Sequence, residues 1–331
     1  MLAPTPVPTP PDIDPETLPA APGRIDALDG ARGLALLAMA AYHITWDLGF
    51  LRMTPENYAL TPPGKAAAHI IAGSFLALVG IGLVLANGRG VRPRPFLWRL
   101  ARIGGAAGLI TAATWFAFPE SYIFFGILHC IALSSVLALP FVFLPAALTG
   151  LVAVAVVAAP HLVQAHWLDG PELYVLGLGR RLPMTNDWVP LFPWFGLVLA
   201  GVALGRLGLP ARLARWRARR RPGRALAFAG RHSLVIYLVH QPALLAMLAA
   251  LAWVTGPHPR AGLTEFRREY QANCTRTGGG PEACRIAGRC TGDALRREKL
   301  WGGGSFTPEQ RARAQALSQA CYEAAEGTAA P

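Results

Sequence analysis

The chain has 331 residues, of which 53% are hydrophobic and only 15% are charged. Soluble chains carry about 25% charged residues, and here the uncharged residues form stretches of membrane-spanning length, roughly 17–25 residues. This composition excludes a soluble enzyme, and the short basic loops between the stretches exclude a disordered or coiled-coil protein. The net charge of +12 does not predict a nucleic-acid partner, because most of the excess lies in two short loops, where positive charge sets membrane orientation.

The sequence divides into three segments by composition. Residues 1–23 are rich in Pro, acidic, and lack the basic and apolar regions of a cleavable signal peptide. They predict a disordered, extended tail, with structure beginning near Arg24. Residues 24–254 form the apolar unit, and residues 255–331 form a polar tail that contains most of the cysteines.

Seven apolar segments are candidate membrane helices, and they predict an all-α, polytopic helical bundle. The fifth is the shortest and is bounded by Pro145 and Pro160. The segments cover about 30–50, 66–87, 97–117, 123–144, 146–163, 189–208 and 232–254.

Lys and Arg in the short loops predict the orientation of the bundle. The loop between the second and third segments is basic, and the loop 209–231 holds eight arginines, whereas 118–122 has no basic residue. Basic loops belong in the cytoplasm, so we expect a cytoplasmic N-terminus and a C-terminus on the outer side.

Four cysteines lie in the polar tail: Cys274, Cys284, Cys290 and Cys321. An even number in a short extracytoplasmic segment predicts two disulfides, with three pairings open. Zinc is the alternative, but the spacing lacks a C-x2-C pair, so we predict no metal site. The fifth cysteine, Cys130, lies inside the fourth apolar segment and is predicted to be a packing residue.

Ionisable residues inside apolar segments are candidates for function, because they are costly there. His43 lies roughly 20 Å along the first helix from Gly30, which places it in the outer half of the bilayer. Asp47 follows at i+4 on the same helix face, where a carboxylate would orient an imidazole base. The alternative is a hydrogen bond between helices at the membrane boundary.

Further polar residues fall at the same predicted depth. They are His69 in the second segment, His129 in the fourth and Asp187 at the start of the sixth. Together with His43 they predict a polar pocket in the outer half, with catalytic candidates His43, Asp47, His129 and Asp187. The alternative is that His69 is a surface residue and that the tryptophans near Asp187 anchor the interface. The seventh segment adds His240, with Tyr237 and Gln241 as neighbours.

The cytoplasmic side holds candidates for binding a phosphate-rich ligand, since Arg pairs with phosphate bidentately. The entry to the first segment combines Asp26 and Asp29 with Arg32, more charge than one helix cap explains. The alternative for most of the arginines is positive-inside topology alone. The candidates are Arg32, Arg89, Arg92, Arg94, Arg231 and His232.

The run RIDALDGARGLALLAMAAYH resembles the R-x-D-x-x-R-G…H signature of transmembrane acyltransferases, in particular the bacterial relatives of the heparan-α-glucosaminide N-acetyltransferase catalytic domain. The resemblance continues through FLALVGIGLVLA, FFGILHCIALSSVL, DWVPLFPWFGLVLAGVALG and GRHSLVIYLVHQP, over roughly 24–250. DALDGARG holds two extra residues, so Asp26 and Asp29 both stay candidates for the matching acid, and Arg32 matches the arginine. The tail lies outside the resemblance.

The resemblance implies transfer of an acetyl group from cytosolic acetyl-CoA, the cosubstrate, to an amino sugar or other glycan across the membrane, with His43 as base or acyl carrier. It implies a bacterial inner-membrane protein whose partners are the bilayer and the glycan acceptor, with a homodimer as an option. An O-acyltransferase is the near variant. A transporter of an anionic metabolite and a non-catalytic membrane partner are the other classes that the residues allow.

Overall fold

The computed structural model describes residues 25–302 and 306–329. Within these residues the chain forms twelve α-helices, joined by loops and short 3-10 turns, and contains no strand. The all-α prediction is therefore confirmed for the described part of the chain. The predicted disordered tail, 1–23, and Arg24 lie outside the described residues.

Nine helices form the part of the chain up to residue 255, which we call the bundle. They are α1 Asp26–Phe50, α2 Pro62–Asn87, α3 Pro93–Ala117, α4 Ile127–Leu137, α5 Ala146–Leu162, α6 Leu191–Arg206, α7 Leu209–Leu213, α8 Arg221–Arg231 and α9 Ser233–Thr255. Three more form the C-terminal unit: α10 Leu263–Arg276, α11 Pro281–Arg297 and α12 Pro308–Ala329. Each of the seven predicted segments overlaps one of the helices α1 to α6 or α9.

Three of these helices, α2, α3 and α9, are long and apolar enough to cross a membrane. The helices α4, α5 and α6 are apolar but shorter, with 11, 17 and 16 residues. The count of seven membrane spans therefore stays a prediction. Large apolar side chains point outward from the bundle, with Ile70 exposed by 73%, Phe116 by 85% and Trp253 by 89%, and such a surface suits lipid better than water.

Helix α4 is shorter than its predicted segment, 123–144. Residues before Gly126 are not helical, because Phe125 forms a bridge with Trp188 and its carbonyl accepts a hydrogen bond from Val189. At the other end Pro140 begins a 3-10 turn after α4 has ended; proline cannot donate the backbone hydrogen bond that would continue an α-helix. The segment before α4 therefore pairs with the segment before α6.

The core of the bundle lies where α2 packs on α6. Leu76 and Leu83 of α2 and Val198 and Val202 of α6 are fully buried. A Cβ atom at Gly80 would overlap the Val198 carbonyl oxygen, so only glycine allows the two backbones to approach this closely. Small residues at a helix–helix contact are a common device in membrane bundles.

The predicted basic loop between the sixth and seventh segments contains two helices, α7 and α8. Helix α8 packs along the first half of α1 so closely that a Cβ atom at Gly230 would overlap the Asp29 carbonyl oxygen. Before α8, the backbone N–H of Ala218 donates to the Asp26 carboxylate at 3.2 Å. Asp26 therefore holds the basic segment against the start of α1.

The C-terminal unit contains two disulfides, which confirms the prediction. Cys274 pairs with Cys284 and joins α10 to α11, and Cys290 pairs with Cys321 and joins α11 to α12. Two backbone hydrogen bonds fix the unit to the loop after α1. The N–H of His258 donates to the Arg52 carbonyl at 2.8 Å, and the N–H of Gly262 donates to the Pro55 carbonyl at 3.1 Å.

The disulfide pairing predicts a simple thiol count. Denatured, unreduced protein purified from an oxidising compartment should bind one maleimide, at the buried thiol of Cys130, and five after reduction, one for each cysteine of the chain. Mass spectrometry of the intact protein measures the number. The variant Cys130→Ala is the control and should bind none before reduction. Three or more adducts without reduction would contradict the pairing.

Candidate functional site

Two histidines meet where α1 contacts α9. The Nδ1 atom of His43 lies 2.6 Å from the Nε2 atom of His240. The ring planes are inclined by 20° and their centroids are 4.9 Å apart, which fits two rings that share a hydrogen bond close to the ring planes. The sequence placed both residues in apolar helices, and the structure brings them into direct contact.

Backbone carbonyls of α9 determine which nitrogen carries each proton. The Nδ1 atom of His240 lies 2.8 Å from the carbonyl oxygen of Tyr237, and a carbonyl can only accept, so Nδ1 of His240 donates. In neutral His240 the Nε2 atom is then the acceptor, and His43 must donate from Nδ1. The network therefore assigns a lone pair to Nε2 of His43, the nitrogen that can act as base or nucleophile.

The carboxylate of Asp47 contacts Gln241 and not His43. Asp47 is fully buried, and its Oδ1 atom accepts a hydrogen bond from Nε2 of Gln241 at 2.9 Å. The expectation that Asp47 orients the imidazole of His43 is therefore wrong as a description of this geometry. A backbone carbonyl and a second histidine do this instead, while the alternative weighed for Asp47, a hydrogen bond between helices, is what the structure contains.

Two oxygen atoms beside this contact accept no hydrogen bond from the described residues. They are Oδ2 of Asp47 and Oε1 of Gln241, and both are buried. Buried polar atoms are normally satisfied, so an exception calls for an explanation. Both atoms are acceptors. Asp47 lies one helical turn from His43 on α1, and Gln241 follows His240 on α9, so the arrangement suits a ligand that brings hydrogen-bond donors.

Asp187 lies near the same group of residues. Its Oδ2 atom accepts a hydrogen bond from the backbone N–H of Ile127, at the start of α4, at 2.9 Å. Its charge acts on Tyr42 and Tyr237, whose rings lie 5.9 Å from that of His43 and 5.8 Å from that of His240. Burial raises the pKa of the Asp187 carboxyl, and the bond from Ile127 opposes this only in part.

His129 and His69 have local partners. The Nδ1 atom of His129 accepts from the N–H of Gly126 at 3.2 Å, and its Nε2 atom lies 3.1 Å from the Thr111 hydroxyl. Both nitrogens are therefore used to hold the start of α4 on α3. His69 is exposed and contacts the ring of Trp194. Among the described residues no hydrogen bond joins His129 to His43 or His240. A catalytic role for His129 therefore stays a prediction.

Arg32 lies among three helices near the start of α1. Its guanidinium donates to the Asp29 carboxylate at 3.0 Å, which makes Asp29 the acid that is paired with this arginine. It lies against Gly82 of α2, and its charge acts on Arg99, as does that of Arg102. The structure therefore places the charges of Arg32 and Arg102 near Arg99, an excess of positive charge that suits phosphate groups.

The other candidates for phosphate binding are exposed side chains in two separate places. Arg89 and Arg92 are exposed between α2 and α3, and Arg94 is exposed in the first turn of α3. Arg231 is exposed at the end of α8 and His232 directly after it, where the Nδ1 atom of His232 lies 3.0 Å from the Phe228 carbonyl. Among the described residues, Arg32 forms no hydrogen bond or salt bridge with any of these side chains.

The sequence predicted His43 and Asp47 but not their partners. The sequence shows His240 and Gln241 as polar residues in an apolar helix. It does not show that they contact His43 and Asp47, because 197 residues separate His43 from His240. The position of Arg99 beside Arg32 depends on how α3 packs, which the sequence does not show.

Comparison with known proteins identifies the family. The family model described as "Heparan-alpha-glucosaminide N-acetyltransferase, catalytic" matches residues 24–242, about two thirds of the chain. The chain belongs to this family. No curated protein and no solved structure gives a match. The heparan-α-glucosaminide N-acetyltransferase match includes both histidines, Asp47, Gln241, Asp187 and Arg32, and it excludes the C-terminal unit.

Membership has three general consequences. The family implies a membrane protein with N-acetyltransferase activity, and acetyl-CoA is the donor in general. Among the described residues there is no cluster of three or more His, Cys, Asp or Glu side chains that could hold a metal ion. The resemblance noted from the motifs in α1, α2, α4, α6 and α9 is therefore confirmed at the level of the family.

The raised pKa of Asp187 predicts how stability depends on pH. Above the ordinary carboxyl pKa of 3.8 the unfolded state ionises freely, whereas the folded state resists ionisation until the raised pKa is reached. The Tm of the protein should therefore fall as the pH rises through this window. Asp187→Asn keeps an acceptor for the Ile127 N–H and removes the titration, so it should flatten the profile and raise Tm at pH 7.

Thermal unfolding followed by circular dichroism between pH 4 and 8 tests this. Glu120→Gln is the matched control, because Glu120 is an exposed acid in the loop before α4, and it should leave the profile unchanged. A lower Tm for Asp187→Asn at pH 7 would show that the charged form of Asp187 stabilises the fold.

Proposed function

We propose that the protein transfers an acetyl group from cytosolic acetyl-CoA to the amino group of an amino sugar, or of another glycan, on the outer side of the membrane. His43 carries the chemistry. One observation supports this most directly: His43 donates from Nδ1 to His240, and His240 donates to a backbone carbonyl. These two hydrogen bonds leave the lone pair of His43 on Nε2.

Both mechanisms open to an imidazole use this lone pair. In direct transfer, Nε2 of His43 accepts a proton from the amine while the amine nitrogen attacks the thioester carbon. The C–S bond breaks, and the thiolate takes up the proton. In the covalent route, Nε2 attacks the thioester carbon first and the thiolate leaves. The amine nitrogen then attacks the acetyl carbon, the bond to Nε2 breaks, and the amine proton passes to the thiolate. In either case His240 accepts the hydrogen bond from Nδ1–H of His43 and so holds the ring in one tautomer, the task that the carboxylate performs in a Ser-His-Asp triad.

The buried acceptors of Asp47 and Gln241 are suited to the acceptor substrate. An amino or hydroxyl group is a hydrogen-bond donor, and Oδ2 of Asp47 and Oε1 of Gln241 accept nothing from the described residues. Since Asp47 lies one turn of α1 beyond His43, a donor bound there is held beside the reactive nitrogen. We therefore assign Asp47 to binding of the acceptor rather than to orientation of His43.

The arginines near the start of α1 are suited to the donor. Acetyl-CoA carries phosphate groups, and Arg32 lies beside Arg99 and Arg102. With Arg-rich loops in the cytoplasm, the donor approaches from the cytoplasmic side and the disulfide-bonded unit lies outside, as expected for cysteines that oxidise. This corresponds to a multi-pass protein of the bacterial inner membrane.

The histidine pair predicts a graded loss of activity. His43→Ala removes the reactive nitrogen and should lower kcat by about 10²–10⁴-fold. His240→Ala leaves that nitrogen but loses its orientation, so we expect a smaller loss, about 10–100-fold. His240→Gln keeps an acceptor for the Nδ1 proton of His43 and should recover part of it. The KM for acetyl-CoA should change little in all three.

Transfer of label from radiolabelled acetyl-CoA to glucosamine, measured in detergent, provides the rates. The control is His161→Ala, the same change at an exposed histidine at the end of α5. Label retained on the protein without acceptor, and lost in His43→Ala, would identify the covalent route. Full activity of a folded His43→Ala variant would contradict the assignment of His43.

Donor binding predicts a sidedness that membrane vesicles can measure. Inside-out vesicles, which expose the cytoplasmic face, should use added acetyl-CoA, and sealed right-side-out vesicles should not. In the inside-out vesicles Arg32→Gln should raise the KM for acetyl-CoA by about tenfold, and this effect should shrink as salt screens the phosphate contacts. Arg181→Gln, at an exposed arginine between α5 and α6, is the control.

Activity of sealed right-side-out vesicles with added acetyl-CoA would reverse the proposed orientation. A KM that is the same in Arg32→Gln as in the unchanged protein, with kcat intact, would remove Arg32 from the donor site and leave the role of His43 untouched.

A further inference from the structure

A cleft lies between the loop after α1 and the C-terminal unit. Its volume is about 630 Å³, within the range of about 300–1,000 Å³ that is typical of small-molecule sites. Arg52 lines it from the bundle, and the other walls come from residues outside the family match, namely His258, Asp293, Arg296, Arg297, Lys299 and Trp301, with Pro257, Pro259, Ala261 and Gly302.

The cleft has a strong excess of positive charge. Four of its side chains are cations and one is a carboxylate, Asp293, which is already engaged by Arg267 at 3.1 Å and by Arg296 at 3.6 Å. Among the described residues no salt bridge neutralises Arg52, Arg297 or Lys299. The carboxylate of Glu298 accepts two hydrogen bonds from Arg313, and Arg297 acts on it through charge alone.

Two of the cations have an unusual backbone conformation. Arg52 has φ +57° and Lys299 has φ +56°, and among the described residues they are the two non-glycine positions with positive φ. Each follows the end of a helix, α1 or α11, at the position where glycine is the usual residue, because a side chain there is strained. Both of these strained positions carry a cation, and both line the same cleft.

Trp301 forms a fixed apolar wall of the cleft. Its indole N–H donates to the carbonyl of Ala261 at 3.0 Å, and the edge of Phe266 packs against it at 5.3 Å between centroids. The ring is therefore held in place by one hydrogen bond and by packing against Phe266. A flat apolar surface beside cations suits a ligand that has both a ring and an anionic group.

We propose that this cleft is a binding site for an anionic oxygen group, a carboxylate or phosphate, with Trp301 packing against the sugar ring or other apolar part that bears it. Among the described residues no salt bridge pairs Arg297 or Lys299 with a carboxylate, and guanidinium groups bind carboxylates and phosphates bidentately. Arg52 and Lys299 lie at helix ends that backbone hydrogen bonds close, and their side chains add two cations to the same cleft. The site does not depend on the proposed acetyl transfer.

Thermal shifts of the full chain in nanodiscs of neutral lipid test the site. The soluble probes are inorganic phosphate and glucuronate, titrated at constant ionic strength, and glucose is the uncharged control. Nanodiscs that contain phosphatidylglycerol test whether a lipid headgroup supplies the phosphate. We expect Tm to rise in a saturable way with at least one anionic probe and not with glucose. Arg297→Gln should raise the midpoint concentration at least fivefold, and Arg311→Gln, the same change at an exposed arginine of α12, should not.

The variant Lys299→Gly separates binding from structure. Glycine relieves the strained backbone, so the protein without ligand should be as stable as the unchanged one or more stable, while the response to the anion should weaken. A saturable rise in Tm with glucuronate or phosphate, weakened in both Arg297→Gln and Lys299→Gly, supports the proposal. The anion then comes from a soluble ligand. A shift confined to phosphatidylglycerol and weakened in the same variants supports it with a headgroup as the source. No saturable shift with any probe, or equal shifts in Arg297→Gln and Arg311→Gln, would overturn it.

Discussion

The contact between α1 and α9 joins polar groups inside an otherwise apolar bundle, and the candidate site depends on it. Polar atoms surrounded by apolar helices must find partners within the protein. Here His43 and Asp47, one turn apart on α1, meet His240 and Gln241, adjacent on α9. A shift of either helix would break both hydrogen bonds together, so the interactions that set the register of α1 and α9 also aim the reactive nitrogen.

Helix α1 also connects the two ends of the proposed reaction. Arg32 and His43 are eleven residues apart, which corresponds to about 16 Å along the helix axis. The phosphate groups of a donor bound near Arg32 therefore lie well away from the histidine, and the acyl group must reach it through the extended part of the donor. The close packing of α8 at Gly33 and Gly230 stabilises the half of α1 that holds Arg32.

Local signals in the sequence predicted much of this architecture. Apolar length located the helices, cysteine number predicted two disulfides, and the cost of charge in apolar segments selected His43 and Asp47. The pairing of Cys274 with Cys284, the choice of His240 as partner of His43, and the use of Asp47 by Gln241 depend on distances between helices, which periodicity does not encode. The same applies to α8, because an amphipathic basic helix and a basic loop have similar compositions.

The attachment of the C-terminal unit to the bundle uses backbone atoms: the N–H groups of His258 and Gly262 and the carbonyls of Arg52 and Pro55. Every residue except proline has such an N–H group, so these two bonds do not depend on the side chains of the residues that form them. A salt bridge between Arg268 of α10 and Glu56, at 3.9 Å, is a side-chain contact across the same seam. Truncation of side chains would therefore detect that ion pair and pass over the backbone bonds.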